Sequence, residues 1–328
     1  MADCIDAWTH ILPGQYFAKL QTIASPAGRL KRWLTLKTLF DLDERFRVMD
    51  LFSGYRQFLT PSGDAAADLA RLMNNGLADL VGRFPDRFAG WCGALAMHDP
   101  SAAVNEIERI AGMGSAGVQI ITSVRGAPLD EARFAPVFDA VAAHGMSIWL
   151  HPARPPTVAD YPTETMSKYE IWWAFGWPYE SSAAMARLVF SGLFDRHPDL
   201  RIITHHLGAM IPFFAGRIVQ GWDRQMGTRT PDSDASLLPK PLERTASEYF
   251  RLFYGDTALY GPAAAIRCGL DFFGGDRVLF GTDFPYDAEG GAAGVRDTFR
   301  ALDELALPAA ARRMIDRDNL LAFIRRKL

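Results

Sequence analysis

Eight short apolar runs, separated by longer stretches with helical spacing, constrain this 328-residue chain more than any other feature. The runs are DCIDA (3–7), GYRQFLT (54–60), FAGWCGALA (88–96), GVQII (117–121), MSIWLHP (146–152), LRIITHH (200–206), FRLFYGDT (250–257) and DRVLFGTD (276–283). Short runs rich in β-branched and aromatic residues read as strands. Between them, DAAADLARLMNNGLADLVGRF, ARFAPVFDAVAAHG and SSAAMARLVFSGLFDRHP carry apolar residues at the 3.6-residue spacing of a half-buried helix, and Gly145 and Gly192 sit where a helix would end. Alternating strands and helices imply a parallel sheet, and eight strands is the number that closes a (β/α)8 barrel. Neither a tandem repeat nor a flexible linker interrupts the pattern. Residues 1–328 therefore read as a single α/β barrel, and 49% hydrophobic residues suffice to fill it.

Two stretches break the rhythm. Residues 153–180, rich in proline and aromatics, follow the fifth run, and residues 222–247 follow the helix after the sixth. Long loops after barrel strands are commonly lids or subunit contacts. Other classes of function lack support. The net charge is −3, and the longest basic run is the C-terminal RRK, so no nucleic-acid surface is expected. Cys4, Cys92 and Cys268 are too few and too scattered for a disulfide framework or a metal knuckle. Without an N-terminal charged-then-apolar pattern or an 18-residue apolar stretch, a reduced, cytoplasmic setting without membrane contact is the expectation.

The polar residues gather where the runs end. His10 follows the first, His151 ends the fifth, His205 and His206 end the sixth, Asp256 the seventh and Asp283 the eighth. In a barrel these ends meet at one mouth. Two imidazoles and a carboxylate suit a divalent ion, because two neutral lone pairs and one negative charge leave positions open for substrate. His10, His151 and Asp283 form such a set, with His206 as a nearby acid or base. Side chains alternate along a strand, so only one of His205 and His206 faces the mouth. The face shared by Thr204 and His206 is the more polar, which favours His206.

The pieces IDAWTHILP, AGVQIITSVRGAPLDEARFAPVFDAVAAHGMSIWLHP, FGWPYESSAAMARLVFSGLFDRHPDLRIITHHLGAMIPFFAGRI and DRVLFGTDFPYD resemble the amidohydrolase-related decarboxylases. That group includes aminocarboxymuconate-semialdehyde decarboxylase and the hydroxybenzoate decarboxylases of the γ-resorcylate type. The resemblance runs nearly end to end, through DRDNLLAFI, which is similar to the family's closing helix. It implies a metal-binding barrel that releases CO2 from an aromatic or muconate-like acid, with one zinc or manganese ion. His10, His151 and Asp283 match family ligands, and His206 matches the histidine before the glycine-containing turn. Arg217 matches an arginine that such enzymes extend toward the neighbouring subunit's substrate, which implies a homodimer. Arg47 lies where they hold a substrate carboxylate.

Trp8 departs from the family, where the position carries histidine or glutamate. An indole has no lone pair for a metal. Strand alternation puts residues 6, 8 and 10 on one side, so Trp8 faces the mouth if His10 does. Three readings stay open: a metal on His10, His151 and Asp283 alone; a metal-free site working through His206, His151 and Asp283; or a binding barrel without chemistry. Trp8 also offers a wall on which a planar substrate would stack, with Trp172, Trp173, Phe175 and Trp177 as a cover. Decarboxylation needs an acid to protonate carbon as CO2 leaves. The resemblance implies that Asp283 takes that role, which would require burial to raise its pKa, or, in the muconate-like version, that His206 activates water for addition to the substrate. Hydrolysis of a lactone or amide, or hydration of an unsaturated acid, would use nearly the same residues. GVQIITSV ends without a lysine to bridge two ions, which limits the site to one.

Overall fold

The computed structural model describes residues 3–23, 29–62, 66–228, 237–238 and 241–325. Its centre is a parallel sheet of eight strands in sequence order: β1 Cys4–Ile11, β2 Tyr55–Pro61, β3 Phe88–Gly93, β4 Gly117–Ile121, β5 Ser147–His151, β6 Ile202–Thr204, β7 Tyr254–Asp256 and β8 Val278–Leu279. The ring closes between the segment after β8 and β1. Ala7 N–H donates to Phe280 O at 2.8 Å and His10 N–H to Phe284 O at 2.7 Å, beside a parallel bridge between Thr9 and Phe284. Each of the eight sequence runs overlaps a strand. The first is longer than expected, so His10 lies inside β1 rather than after it. Among the additions is a two-stranded antiparallel hairpin, Ser123–Val124 with Ala127–Pro128.

The helices pack outside the strands. Ala67–Arg83 buries Ala70, Met73, Leu77 and Leu80, the apolar face its spacing predicts. Ala135–Ala143 and Gly176–Phe190 are followed by Gly145 and Gly192, whose φ of 63° and 72° are left-handed, as glycine permits after a helix. At Gly117 a Cβ would lie 2.1 Å from Ser147 O, so the five-residue pairing of β4 with β5 requires glycine there.

Inside the barrel, side chains fill the axis from the bottom upward. The closing helix Asn319–Phe323 plugs the lower end, and Ser147 Oγ donates to Phe323 O at 2.9 Å. Phe323 meets Trp149 edge-on, with ring centroids 5.1 Å apart. Trp149 stacks on Phe58 at 4.7 Å and donates its indole N–H to Ala7 O at 3.0 Å. Trp8, fully buried, belongs to the same apolar cluster.

A shift of register between Asp6 and Thr9 breaks the simple alternation of β1. The carboxylate of Asp6 does not join Trp8 and His10. Instead it accepts from Tyr55 OH at 2.6 Å, from Thr282 N at 3.1 Å, from Trp8 N at 3.1 Å and from Thr282 Oγ1. It thereby ties β1 to β2 and to the segment after β8.

The 153–180 insertion runs irregularly to a short helix, Ile171–Ala174, and then opens the helix Gly176–Phe190. Of the 222–247 insertion, residues 229–236 and 239–240 lie outside the described residues. Among the described residues no helix is long and apolar enough to cross a membrane.

Candidate metal centre

Three imidazoles and a carboxylate converge above Trp8. His10 projects from β1, His151 ends β5, His205 follows β6, and Asp283 follows β8. The ligating atoms of His10, His151 and His205 all lie within 4.8 Å of one another, as do those of His205, His206 and Asp283. His10 Nε2 and His205 Nε2 each stand 3.3 Å from the same oxygen, Asp283 Oδ1.

The far nitrogen of each imidazole is already engaged. His10 Nδ1 donates to Pro61 O at 2.7 Å, His151 Nδ1 to Pro152 O at 2.7 Å, and His205 Nδ1 to Asp256 Oδ2. A carbonyl cannot donate, so the proton of each neutral ring bonded to one sits on Nδ1, and the Nε2 lone pair faces the centre. His10 Nε2, His205 Nε2 and Asp283 Oδ1 are buried and make no hydrogen bond. Buried polar atoms without a partner are costly. Their convergence on one point is what a divalent cation would resolve, so the residues present fit a metal ion.

The electrostatics agree. Burial opposes a charge on His205, but the carboxylates of Asp256 and Asp283 outweigh it and pull its pKa up to about 10. The focus thus demands positive charge, which a metal ion can supply in place of that proton. Burial also disfavours the Asp283 carboxylate, yet the charge on His205 and the close approach of the His205 and His10 imidazoles hold its pKa well below the usual range. The expectation that Asp283 rests as a neutral acid is therefore corrected. Its second oxygen, Oδ2, accepts from Tyr260 OH at 2.9 Å.

His205 faces inward, against the expectation from strand polarity. It follows Ile203, which packs in the barrel interior, while Thr204 Oγ1 points outward to Tyr254 O at 2.9 Å. The barrel interior below the mouth is apolar, so the polar face of β6 is the outer one. At His206 the backbone turns left-handed, φ 56°, which returns its ring to the centre 3.9 Å from that of His205. Burial and the His205 charge push the His206 pKa down to about 4. His206 is thus held as the neutral base.

Trp8 reaches the centre from below, but not as a surface for substrate. It is fully buried and stacks on His205, with centroids 4.1 Å apart and planes 18° apart. The cover is real in part: Trp177 lies edge-on to His151 at 5.5 Å and Trp173 sits 6.4 Å from Tyr260, whereas Phe175 is exposed.

The two arginines are not brought to the cluster. Arg47 is on the exposed side of the helix Leu42–Met49, paired with Glu44 at 2.6 Å. Arg217 is exposed on the short helix Ala215–Ile218. The arginine that supports the site is Arg45. It is wholly buried and donates to His10 O at 2.8 Å, Thr38 O at 3.1 Å and Gln57 Oε1 at 2.7 Å. Its helical spacing to the buried Val48 and Met49 was a legible signal. Tyr260 carried none.

The amidohydrolase family profile matches residues 5–325. The chain is 32% identical to the γ-resorcylate decarboxylase of a Polaromonas species over 296 residues, covering 83% of this chain and 87% of that one. It is 30% identical to the 2-amino-3-carboxymuconate-6-semialdehyde decarboxylase of Dictyostelium discoideum over 222 residues, which span 67% of this chain and 57% of that protein. A solved dihydroxybenzoic acid decarboxylase from Polaromonas, with bound manganese and the inhibitor 2-nitroresorcinol, superposes with a TM-score of 0.76 at 25% identity. The match covers 99% of this chain and 97% of that one. The closed eight-stranded barrel, the cluster at its mouth and the extent of these matches agree: the chain belongs to the amidohydrolase family.

Proposed function

We propose that this chain is a non-oxidative decarboxylase of an aromatic or muconate-like carboxylic acid, assisted by one zinc or manganese ion bound by His10, His151 and Asp283. The observation that carries the reading is the set of buried, unpartnered ligand atoms converging at the mouth of a barrel whose relatives are named decarboxylases. A divalent ion held there would supply positive charge to offset the substrate carboxylate.

The chain's own residues do the rest. Loss of CO2 breaks a carbon–carbon bond and leaves its electron pair on the ring carbon, which takes up one proton. Asp283 rests as a carboxylate, so it must gain a proton before giving one. A substrate hydroxyl beside the carboxylate supplies that proton at the same place, and Tyr260 steadies the second carboxylate oxygen. For a muconate-like acid, His206 in its neutral form suits the removal of a proton from an attacking water. Trp177, edge-on to His151, and Trp173, near Tyr260, would limit water at the mouth. Arg217, exposed on the short helix Ala215–Ile218, would serve a partner subunit's substrate in a homodimer, and Arg47, exposed and paired with Glu44, takes no part in this mechanism.

A screen of hydroxybenzoates, aminobenzoates and muconates for CO2 release, with added zinc or manganese, tests the reading. CO2 release from at least one class is expected. Substrate consumption without CO2 would identify a hydrolase or hydratase instead. His206→Ala and Asp283→Asn should each abolish the activity found, and unchanged rates would remove both from the site.

A further inference from the structure

Resting on the metal-binding part of the proposed function, we propose that His205 is itself a metal ligand, giving the centre three imidazoles and one carboxylate. Trp8 and Asp256 are positioning residues that hold its ring in the ligating plane.

Four observations carry the assignment. His205 is wholly buried, and its Nε2 has no hydrogen-bond partner although it lies 3.3 Å from Asp283 Oδ1. His10 Nε2 stands at the same 3.3 Å from the same oxygen, likewise without a hydrogen bond. Two nitrogens that crowd one carboxylate oxygen without bonding to it share a focus beyond it.

The second observation is the fixing of Nδ1. Asp256 Oδ2 accepts from it, while Asp256 Oδ1 accepts from the backbone N–H groups of His206 and Ala258, both at 3.0 Å. The carboxylate cannot rotate without losing two backbone bonds. A carboxylate behind an imidazole in this way sets the tautomer and strengthens the ligand. Third, Gly281 makes room for this arrangement: a Cβ there would lie 2.8 Å from Asp256 Cβ.

Trp8 supplies the fourth. Its indole offers no lone pair, so β1 contributes only His10 to the centre. The indole instead stacks flat against the His205 ring and blocks its rotation away from the focus. Trp8 and His205 thus act as a pair, in which the first closes the floor and the second supplies the nitrogen. A third imidazole also moves the site toward ions that prefer nitrogen, such as zinc and cobalt, over magnesium or calcium.

X-ray absorption of the cobalt-loaded wild-type protein, together with calorimetric titration of metal-stripped protein by cobalt(II) and zinc(II), tests the assignment. Three imidazoles per ion are expected in the wild type and two in His205→Ala. The variant should bind about 100-fold more weakly, and Asp256→Asn about 10-fold, with the circular dichroism of each unchanged. Two imidazoles in the wild type, or affinity within threefold in a folded His205→Ala, would overturn the assignment while leaving the metal centre standing. The wild-type imidazole count decides the question even if the variants fail to fold. Absence of any stoichiometric ion in the wild type would overturn the metal-binding reading and this inference with it.

Discussion

Replacing Arg45 by alanine isolates the buried scaffold of the centre. Arg45 is sequestered between the helix Leu42–Met49 and the barrel, with its guanidinium 4.7 Å from the Phe284 ring centroid and 5.9 Å from that of Phe88. Removing it leaves three buried acceptors unpaired, His10 O, Thr38 O and Gln57 Oε1, each costing about 1–3 kcal/mol. Loss of the packed stem adds about 3 kcal/mol for the cavity. Against this, burial already drives the guanidinium pKa down to about 9, so removing the cation returns about 5 kcal/mol. The balance is a loss of about 4 kcal/mol, or roughly a thousandfold in the folding equilibrium. Urea unfolding at fixed metal concentration, followed by tryptophan fluorescence and circular dichroism, reads it as a lower midpoint with unchanged slope, provided the two probes coincide. Arg47→Ala, two residues away and exposed, should leave the midpoint where it was. A stability within 1 kcal/mol of wild type for Arg45→Ala, or a larger effect from Arg47→Ala, would refute the reasoning.

The fully buried Asp6 carboxyl, pushed up to about 7 by desolvation against four opposing hydrogen bonds, should make stability fall with rising pH. Its folded pKa lies above the ordinary 3.8, so its contribution is complete below about pH 4 and lost as pH rises through about 7, by at most about 4 kcal/mol. Urea midpoints from pH 5 to 8 should therefore fall more steeply in wild type than in Asp6→Asn, and parallel profiles would rule the effect out. Gly117→Ala should destabilise by about 3 kcal/mol or prevent soluble expression, because the 2.1 Å approach to Ser147 O involves backbone that cannot rotate away; a thermal midpoint equal to wild type would contradict the β4–β5 geometry. Chelation should lower the thermal midpoint and added zinc or manganese restore it, since the ion binds a cluster that only the folded chain assembles. An unmoved midpoint in differential scanning calorimetry would speak against a bound ion.

The sequence by itself determined the barrel. Apolar runs of strand length and helical spacing are properties of near neighbours along the chain, so the eight strands, the glycine-terminated helices and the closing helix were legible, and with them the gathering of histidines and aspartates at the strand ends. What near neighbours do not specify is how strands meet. The register shift in β1 turned Asp6 away from Trp8 and His10. The apolar barrel interior claimed the Ile203 face of β6, which put His205 inside, and a left-handed turn brought His206 back to the mouth. Arg45 and Arg47 differ only in which side of one helix they occupy, and the packing of that helix made one a buried clamp on His10 and the other a surface pair. Trp8, a missing ligand in the sequence, becomes in the fold the surface against which His205 is held. That exchange depends on a contact between residues 197 positions apart, and only tertiary structure decides it.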